Sequence, residues 1–275
     1  MIQSPPWLHV TEGAAALLVS IPHTGTEIPD DIEDQLTDGW LARRDADWGV
    51  DKVYDFAASL GATVLRTAIS RTVIDVNRDP SGRSLYPGQT TTGLCPKVTF
   101  DGEPLYRNGD APGDIDIGLR RERYFDPYHA RLAHELGRLR SKHDEVVLYD
   151  AHSIRSVIPR LFEGTLPQFN IGTNAGKSCD EHLTKSVEQL CDASGHSRVT
   201  DGRFKGGWIT RHYGDPANGI HAIQMELSCR GYLREPVGTP SPETWPTPYD
   251  PDFAAPMRGV LKQILEACLQ FTSKP

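Results

Sequence analysis

Apolar residues along this chain fall into two patterns, short unbroken runs and longer stretches with helical spacing. Ala14-Ala15-Ala16-Leu17-Leu18-Val19-Ser20-Ile21 is a continuous run closed by Pro22, the pattern of a strand covered on both faces. Residues 62–67, 72–76, 145–149 and 220–227 predict four further strands, and 169–172 a weaker one. Between them, Val50, Val53, Tyr54, Ala57 and Leu60 repeat at helical spacing and stop at Gly61. Residues 117–143 predict a long helix with a kink at Pro127, and 180–193 and 256–271 predict two more. Strands alternating with helices predict an α/β fold: a central, mixed, mostly parallel sheet with helices on both faces. Residues 81–113 and 235–256 are rich in Gly, Pro and Thr or otherwise irregular, and predict excursions over the surface. No repeat or linker divides the chain, so residues 1–275 are expected to form a single domain.

Composition narrows the picture. The chain has 275 residues, 38% of them hydrophobic and 24% charged, enough for a substantial core. The run at 14–21 is too short for a bilayer span and carries no basic leader, so a cytoplasmic protein with no membrane partner is expected. The five cysteines are scattered, odd in number and lack C-x-x-C spacing, which argues against a disulfide framework or a zinc knuckle. A net charge of −8 disfavours nucleic acid, because a polyanion partner needs dense Lys and Arg. A small anion in an arginine-lined pocket remains compatible with that charge.

The chemistry gathers at strand ends. Open α/β sheets bind ligands beyond the carboxyl ends of their strands, and the polar groups predicted there are His23, Asn77 with Arg78, Asp150 with His152, and Glu226. Two imidazoles and a carboxylate with a fourth position left open describe a catalytic zinc-type site, the third ligand being Asp47, Asp45 or Glu27. Any single histidine at a strand end is more often a hydrogen-bonded structural group, and most acids are solvated surface groups; the coincidence of several gives the reading its weight. Asp150 is read either as a loop or cap residue or as the partner that orients His152.

Glu226 interrupts an otherwise apolar strand, so it faces a cleft or is paired, with Arg230 or Arg234 as the available partners. Facing a cleft beside a metal, it is the natural general base. Arg78 with Asn77 suits a substrate carboxylate, Arg71 suits a carbonyl or oxyanion, and Arg211, in a Gly-flanked stretch, is a candidate second carboxylate contact. There is no G-x-S-x-G elbow, Walker loop, G-x-G-x-x-G or H-E-x-x-H, which removes the best support for serine-hydrolase, nucleotide-dependent and zincin chemistry.

Several segments, in order, resemble the N-formylglutamate amidohydrolase family. They are Ser20-Ile21-Pro22-His23-Thr24-Gly25, Asp45-Ala46-Asp47-Trp48, residues 70–78, residues 85–94, Asp150-Ala151-His152-Ser153-Ile154-Arg155-Ser156 and residues 204–214. The resemblance implies hydrolysis of N-formyl-L-glutamate to L-glutamate and formate, the last step of a histidine-degradation route. It also implies a hydrolase fold similar to zinc carboxypeptidases and aspartoacylase, and one divalent metal ion, zinc first among the first-row ions. On those relatives' pattern, His23 and His152 fall in the ligand places, Asn77 and Arg78 in the carboxylate clamp, and Glu226 in the place of the base. The acidic ligand of the carboxypeptidase-like relatives would fall at position 26, which is threonine here. The family's aspartate before a tryptophan matches Asp47, favoured over Glu27. The expected catalytic groups are then Glu226 and Arg71, the substrate contacts Asn77, Arg78 and Arg211, and the metal ligands His23, Asp47 and His152.

The expected partner is a small molecule, the chain itself being a monomer or small homo-oligomer. The rival readings are an amidohydrolase for another N-acyl amino acid or a peptide C-terminus, and a non-enzymatic α/β protein that binds dicarboxylates.

Overall fold

The structure, a computed structural model, describes residues 4–273. Seven strands form one sheet: β1 (Leu8–Thr11), β2 (Leu17–Ile21), β3 (Thr63–Thr67), β4 (Val146–Ile154), β5 (Phe169–Gly172), β6 (Arg198–Thr200) and β7 (Ile220–Ser228). Their order is β1-β3-β2-β4-β7-β5-β6. The central strands β3, β2, β4 and β7 are parallel, β1 and β5 join them antiparallel, and β6 runs parallel to β5.

Both faces of this sheet are covered, which is why its central strands are apolar without alternation. On β2, Leu17, Val19 and Ile21 pack into one core with Leu261, Ile264 and Leu265 of the C-terminal helix Pro251–Thr272. Leu18 points the other way, into a second core with Leu132, Leu136 and Leu139 of the helix Asp126–Arg140. Each such side chain contributes roughly 1.5–3 kcal/mol when buried.

The element that shapes the site is the unequal length of the central strands. The β2–β4 pairing ends at Ser20 with Asp150, whereas β4 and β7 remain in register through His152 with Glu226 to Ile154 with Ser228. Beyond Asp150, β4 therefore loses one neighbour, and the step exposes its side chains to a crevice at the carboxyl end of the parallel strands.

Most predicted elements are present, with five corrections. Residues 72–76 do not form a strand. Val73, Ile74 and Val76 are buried as expected, but the backbone is turned rather than laddered. The Val73 amide donates to Ser70 O (3.0 Å), the Arg78 amide to Asp75 O (3.2 Å), and Asp75 N to Leu94 O (2.7 Å). Asn77 and Arg78 thus sit on a buried turn, not at a strand end. Strand β4 continues through residues 150–154, so His152 lies within it rather than after it. Helical spacing at 50–60 resolves into the short helix Val50–Val53 and a 3₁₀ segment, Asp55–Leu60, ended by Gly61 at φ 79°. The predicted long helix is Asp114–Arg120, a π turn over Arg121–Phe125, and Asp126–Arg140, contiguous in the chain; the π turn directly precedes Pro127, where the kink was expected. The C-terminal helix begins five residues before the predicted position and contains Pro256.

Candidate functional site

Two histidines meet because two parallel strands and one backbone bond bring them together. His23 follows β2 after Pro22, and its carbonyl accepts the Asp47 amide (2.9 Å), which docks the 45–48 segment beside it. His152 comes from the protruding part of β4, and the Ser153 amide donates to Asp47 Oδ2 (3.0 Å). In consequence His23 Nδ1 lies 3.1 Å from His152 Nδ1, and Asp47 Oδ2 lies 3.2 Å from His152 Nδ1 and 3.8 Å from His23 Nδ1. All three residues are buried.

The opposite edge of each imidazole is held by its own carboxylate. His23 Nε2 is 2.7 Å from Asp75 Oδ1, and His152 Nε2 is 3.0 Å from Asp150 Oδ2. The Asp75 carboxylate on His23 Nε2 fixes its Nε2–H tautomer and turns its Nδ1 lone pair toward Asp47, while His152 Nε2 lies against both Asp150 and Asn77 Nδ2 (2.9 Å) and its Nδ1 faces the same point. Imidazole nitrogens and a carboxylate oxygen gathered this closely are held together by a cation shared among them. Tetrahedral donors at about 2.0–2.1 Å from a first-row ion stand roughly 3.3–3.4 Å apart, close to the separations seen here. Asp47 Oδ1 is buried with no hydrogen-bond partner among the described residues, its nearest cation being Arg71 Nη1 at 3.6 Å. The donor set therefore fits a divalent cation, and the acids behind it supply the second layer that metal-binding histidines usually have.

Electrostatics agree with that frame. Burial would raise Asp47, but the His152 hydrogen bond and the charges of His23, His152 and Arg71 outweigh it and hold the carboxyl below its usual range. Burial also opposes ionisation of Asp75, and Arg78, His23 and Arg71 reverse that strongly. His152 is driven down by burial but pulled well above 6.5 by Asp150 and Asp47, so a cation at this position, whether proton or metal, is what the acids demand.

A polar network keeps the second layer in place. Asp150 Oδ1 accepts from Ser20 Oγ (3.0 Å), which in turn bonds Tyr128 OH (2.9 Å) on the helix Asp126–Arg140. Asn77 Nδ2 donates to Asp150 Oδ2 (3.0 Å) and its Oδ1 accepts from Ile209 N (2.7 Å). That close seating requires Gly207, since a Cβ there would stand 2.5 Å from the Asn77 amide. Asp75 also accepts from Arg71 Nη2 and from Asn77 N, at 2.7 and 2.9 Å.

Beside the three ligand candidates lies a cavity, partly open to solvent, whose wall includes His23, Arg71, Arg78, His152, Arg203 and Glu226. Glu226 makes no side-chain hydrogen bond or ion pair to another described residue; Arg234 is paired with Asp250 instead. Burial pushes its carboxyl up to about 8, against the pull of His152. Arg71 stacks on Phe100 with its guanidinium 4.8 Å from the ring centroid and 3.6 Å from Asp47 Oδ1.

The sequence-derived set is thus largely assembled: His23, Asp47 and His152 converge, and Glu226, Arg71 and Arg78 line the adjoining cavity. Three expectations change. Glu27 is exposed, and Asp45 is taken up by the Phe100 amide (2.6 Å) and Arg155 (3.3 Å), so neither joins the cluster. Asn77 borders the cavity, but both ends of its amide are bonded inside the protein, leaving it to position Asp150 rather than to grip a ligand. Arg211 does not line the cavity; its guanidinium lies over Tyr86, 4.9 Å from the centroid, with Nε bonded to Gly206 O. Asp75 and Arg203 were not singled out from sequence. Asp75 sits in the quoted 70–78 segment, and its one signal is a charge amid apolar neighbours, the same signal that marked Glu226.

Fold and site together define an α/β protein with a two-histidine, one-carboxylate centre at the carboxyl end of its parallel strands, opening on an arginine-lined cavity. Comparison places it further. A family model for N-formylglutamate amidohydrolase matches residues 15–233. The chain is 46% identical over 263 residues to an N-formylglutamate deformylase of Pseudomonas putida, covering 94% of each chain. It is 43% identical to that of Pseudomonas aeruginosa, covering 95% of this chain and 96% of the other. Its fold is similar to the crystal structure of N-formylglutamate amidohydrolase from Ralstonia eutropha JMP134, with a TM-score of 0.78 at 20% identity over 96% of this chain and 98% of that one. The chain belongs to the N-formylglutamate amidohydrolase family.

The five cysteines are buried and unpaired, as expected. Among the described residues no helix is long and apolar enough to cross a membrane.

Proposed function

We propose that this protein is a metal-dependent amidohydrolase that cleaves N-formyl-L-glutamate to L-glutamate and formate. The observation that carries the proposal is the convergence of His23, His152 and Asp47 beside an unpaired glutamate, in a chain whose curated relatives are N-formylglutamate deformylases. His23 and His152 through Nδ1, and Asp47 through Oδ2, would hold one divalent ion, zinc being the first choice for this nitrogen-rich set. When bound there, such an ion supplies Lewis acidity toward an acyl oxygen and lowers the pKa of water.

The chain's own groups do the remaining work. Glu226, facing the cavity with no ion pair to a described residue, takes a proton from the attacking water as the oxygen bonds to the formyl carbon. Arg71, immobilised by Asp75 and Phe100, presents a fixed positive charge to the oxyanion that develops. Glu226 then returns the proton to the departing nitrogen, the C–N bond breaks, and formate and the free amine leave. Arg78, anchored to Thr92 O and Oγ1 at 3.1 Å each, holds the carboxylate next to the reacting amide and so fixes the formyl carbon in place.

The test is direct. Purified protein loaded with zinc, manganese, cobalt or iron is incubated with N-formyl-L-glutamate, and formate and glutamate are quantified, with N-acetyl-L-glutamate as comparison. Equimolar products and stoichiometric metal that is lost in both His23→Ala and His152→Ala are the expected results. No formate with any of these metals refutes the hydrolytic reading, and metal retained in both variants refutes the ligand assignment.

A further inference from the structure

Three arginines face the cavity, and they differ in what neutralises them. Arg71 and Arg78 share Asp75, at 2.7 and 3.7 Å. Arg203 forms no ion pair with any described residue. Its Nε donates to Leu161 O (2.8 Å) and its Nη2 to Thr90 O (2.6 Å), two carbonyls that fix the plane of the group without cancelling its charge. The guanidinium also lies 5.6 Å from the Tyr86 ring centroid and 5.3 Å from that of Phe204, which hold it between them. Nη1 makes no hydrogen bond to a described residue. Burial, and among charges Arg78, weaken its hold on the proton against the opposing pull of Tyr86 and Glu226.

We infer that Arg203 is the residue that recognises the side-chain carboxylate of the substrate, and so sets the preference for an acidic over a neutral N-formyl amino acid. The inference rests on the hydrolytic reading above for its substrate, and on three further points. A half-buried guanidinium whose plane is fixed by two carbonyls and two rings, with no ion pair among the described residues, is preorganised to take a ligand anion. The second carboxylate of an N-formylated acidic amino acid stands two methylenes beyond the α-carbon, so it needs a cation farther from the reacting centre than the first. Arg78 is tied to Asp75, the carboxylate that holds His23, whereas Arg203 is tied to Leu161 and Thr90 on the outer wall. Arg78 therefore takes the α-carboxylate and Arg203 the distal one. Tyr86, whose hydroxyl donates to Gly206 O (2.8 Å), keeps Arg203 and Arg211 on its ring and acts as a positioning residue.

The test compares Arg203→Met and Arg203→Lys with the unaltered enzyme, on N-formyl-L-glutamate and its neutral isostere N-formyl-L-glutamine. Removing a charge-assisted contact costs on the order of 100-fold in kcat/KM, mostly in KM. The expected result is that loss for the glutamate substrate in Arg203→Met, little change for the glutamine substrate, and partial recovery in Arg203→Lys. Equal losses on both substrates, or no loss on either, overturn the inference. Calorimetric binding of glutarate and of butyrate separates it from the hydrolytic reading. If the unaltered protein hydrolyses neither substrate but Arg203→Met, or Arg203→Lys should the former not fold, loses glutarate binding while butyrate is unaffected, the assignment of Arg203 stands without the reaction. Undiminished glutarate binding in the variants overturns it.

Discussion

Asp75→Asn tests the argument about the histidines most sharply, because it keeps the shape of the side chain and changes only its charge and one acceptor. Asp75 is fully buried and serves His23 Nε2, Arg71 Nη2, the Asn77 amide and, at 3.7 Å, Arg78. In the variant, the oxygen can serve the His23 and Asn77 side, while the new NH₂ group confronts Arg71, donor against donor. Two guanidinium groups also lose their shared counter-charge. Breaking a buried pair by removing one partner costs about 3–5 kcal/mol, a large part of the 5–15 kcal/mol typical of a domain, so the variant should fold with a clearly lower urea midpoint and an unchanged m-value. Metal affinity should fall about 10- to 100-fold through loss of the orienting carboxylate. At a free metal concentration about 1,000 times the unaltered Kd, that weakening removes a further 1.4–2.7 kcal/mol, roughly, of metal-dependent stabilisation. Chelator-competition titration gives Kd, and urea unfolding with and without metal gives the two energies separately. A Kd within about threefold of the unaltered protein, whatever the stability, refutes the claim that Asp75 orients His23 toward a metal.

Two other changes probe different parts of the site. Glu226→Gln should retain metal and fold normally but lose about 10²–10⁴-fold in kcat, the usual contribution of a general base; preserved turnover removes it from that role. His129 bridges Val76 O (2.8 Å) and Tyr213 OH (2.9 Å), and burial pushes it down to about 4 from 6.5. Below pH 6.5 the unfolded chain takes up a proton that the folded protein refuses until about pH 4, so stability contributed above pH 6.5 is progressively lost as pH falls toward 4, by roughly 2–3 kcal/mol at pH 4.5. The difference in urea-unfolding free energy between pH 7.5 and 4.5 should shrink by that amount in His129→Asn, and an identical pH dependence in both proteins refutes the assignment.

Much of the fold was legible because its central strands are buried on both faces and so read as unbroken apolar runs. Strands β2, β4 and β7 carry that signal, and so do the helices that cover them. What could not be read has a common cause. Strands β1 and β6 are four and three residues long, too short to show a period. Residues 72–76 gave the opposite error, since an apolar run reports burial and not backbone conformation. Here the buried chain satisfies itself through turns and through Thr72 Oγ1 donating to Ala42 O (2.6 Å), leaving no ladder to form.

The site shows the same division between what a residue type declares and what only contacts decide. Histidines at strand ends and a carboxylate inside an apolar strand are conspicuous in a linear reading, and they converge as read. Asp47 was chosen by resemblance; the physical reason for it, a backbone bond from its amide to the His23 carbonyl, joins positions 24 apart and leaves no local trace. Charge roles were harder still. From sequence, Arg78 and Arg211 read as carboxylate contacts and Arg203 was not singled out, and only their partners separate the three: a carboxylate for Arg78, two carbonyls for Arg203, an aromatic ring and Gly206 O for Arg211. Asn77 beside Arg78 looked like a carboxylate clamp because the pair is often one, yet its amide is consumed holding Asp150 behind His152. Specificity in such a pocket therefore depends less on how many cations line it than on which one the protein has left without an anion.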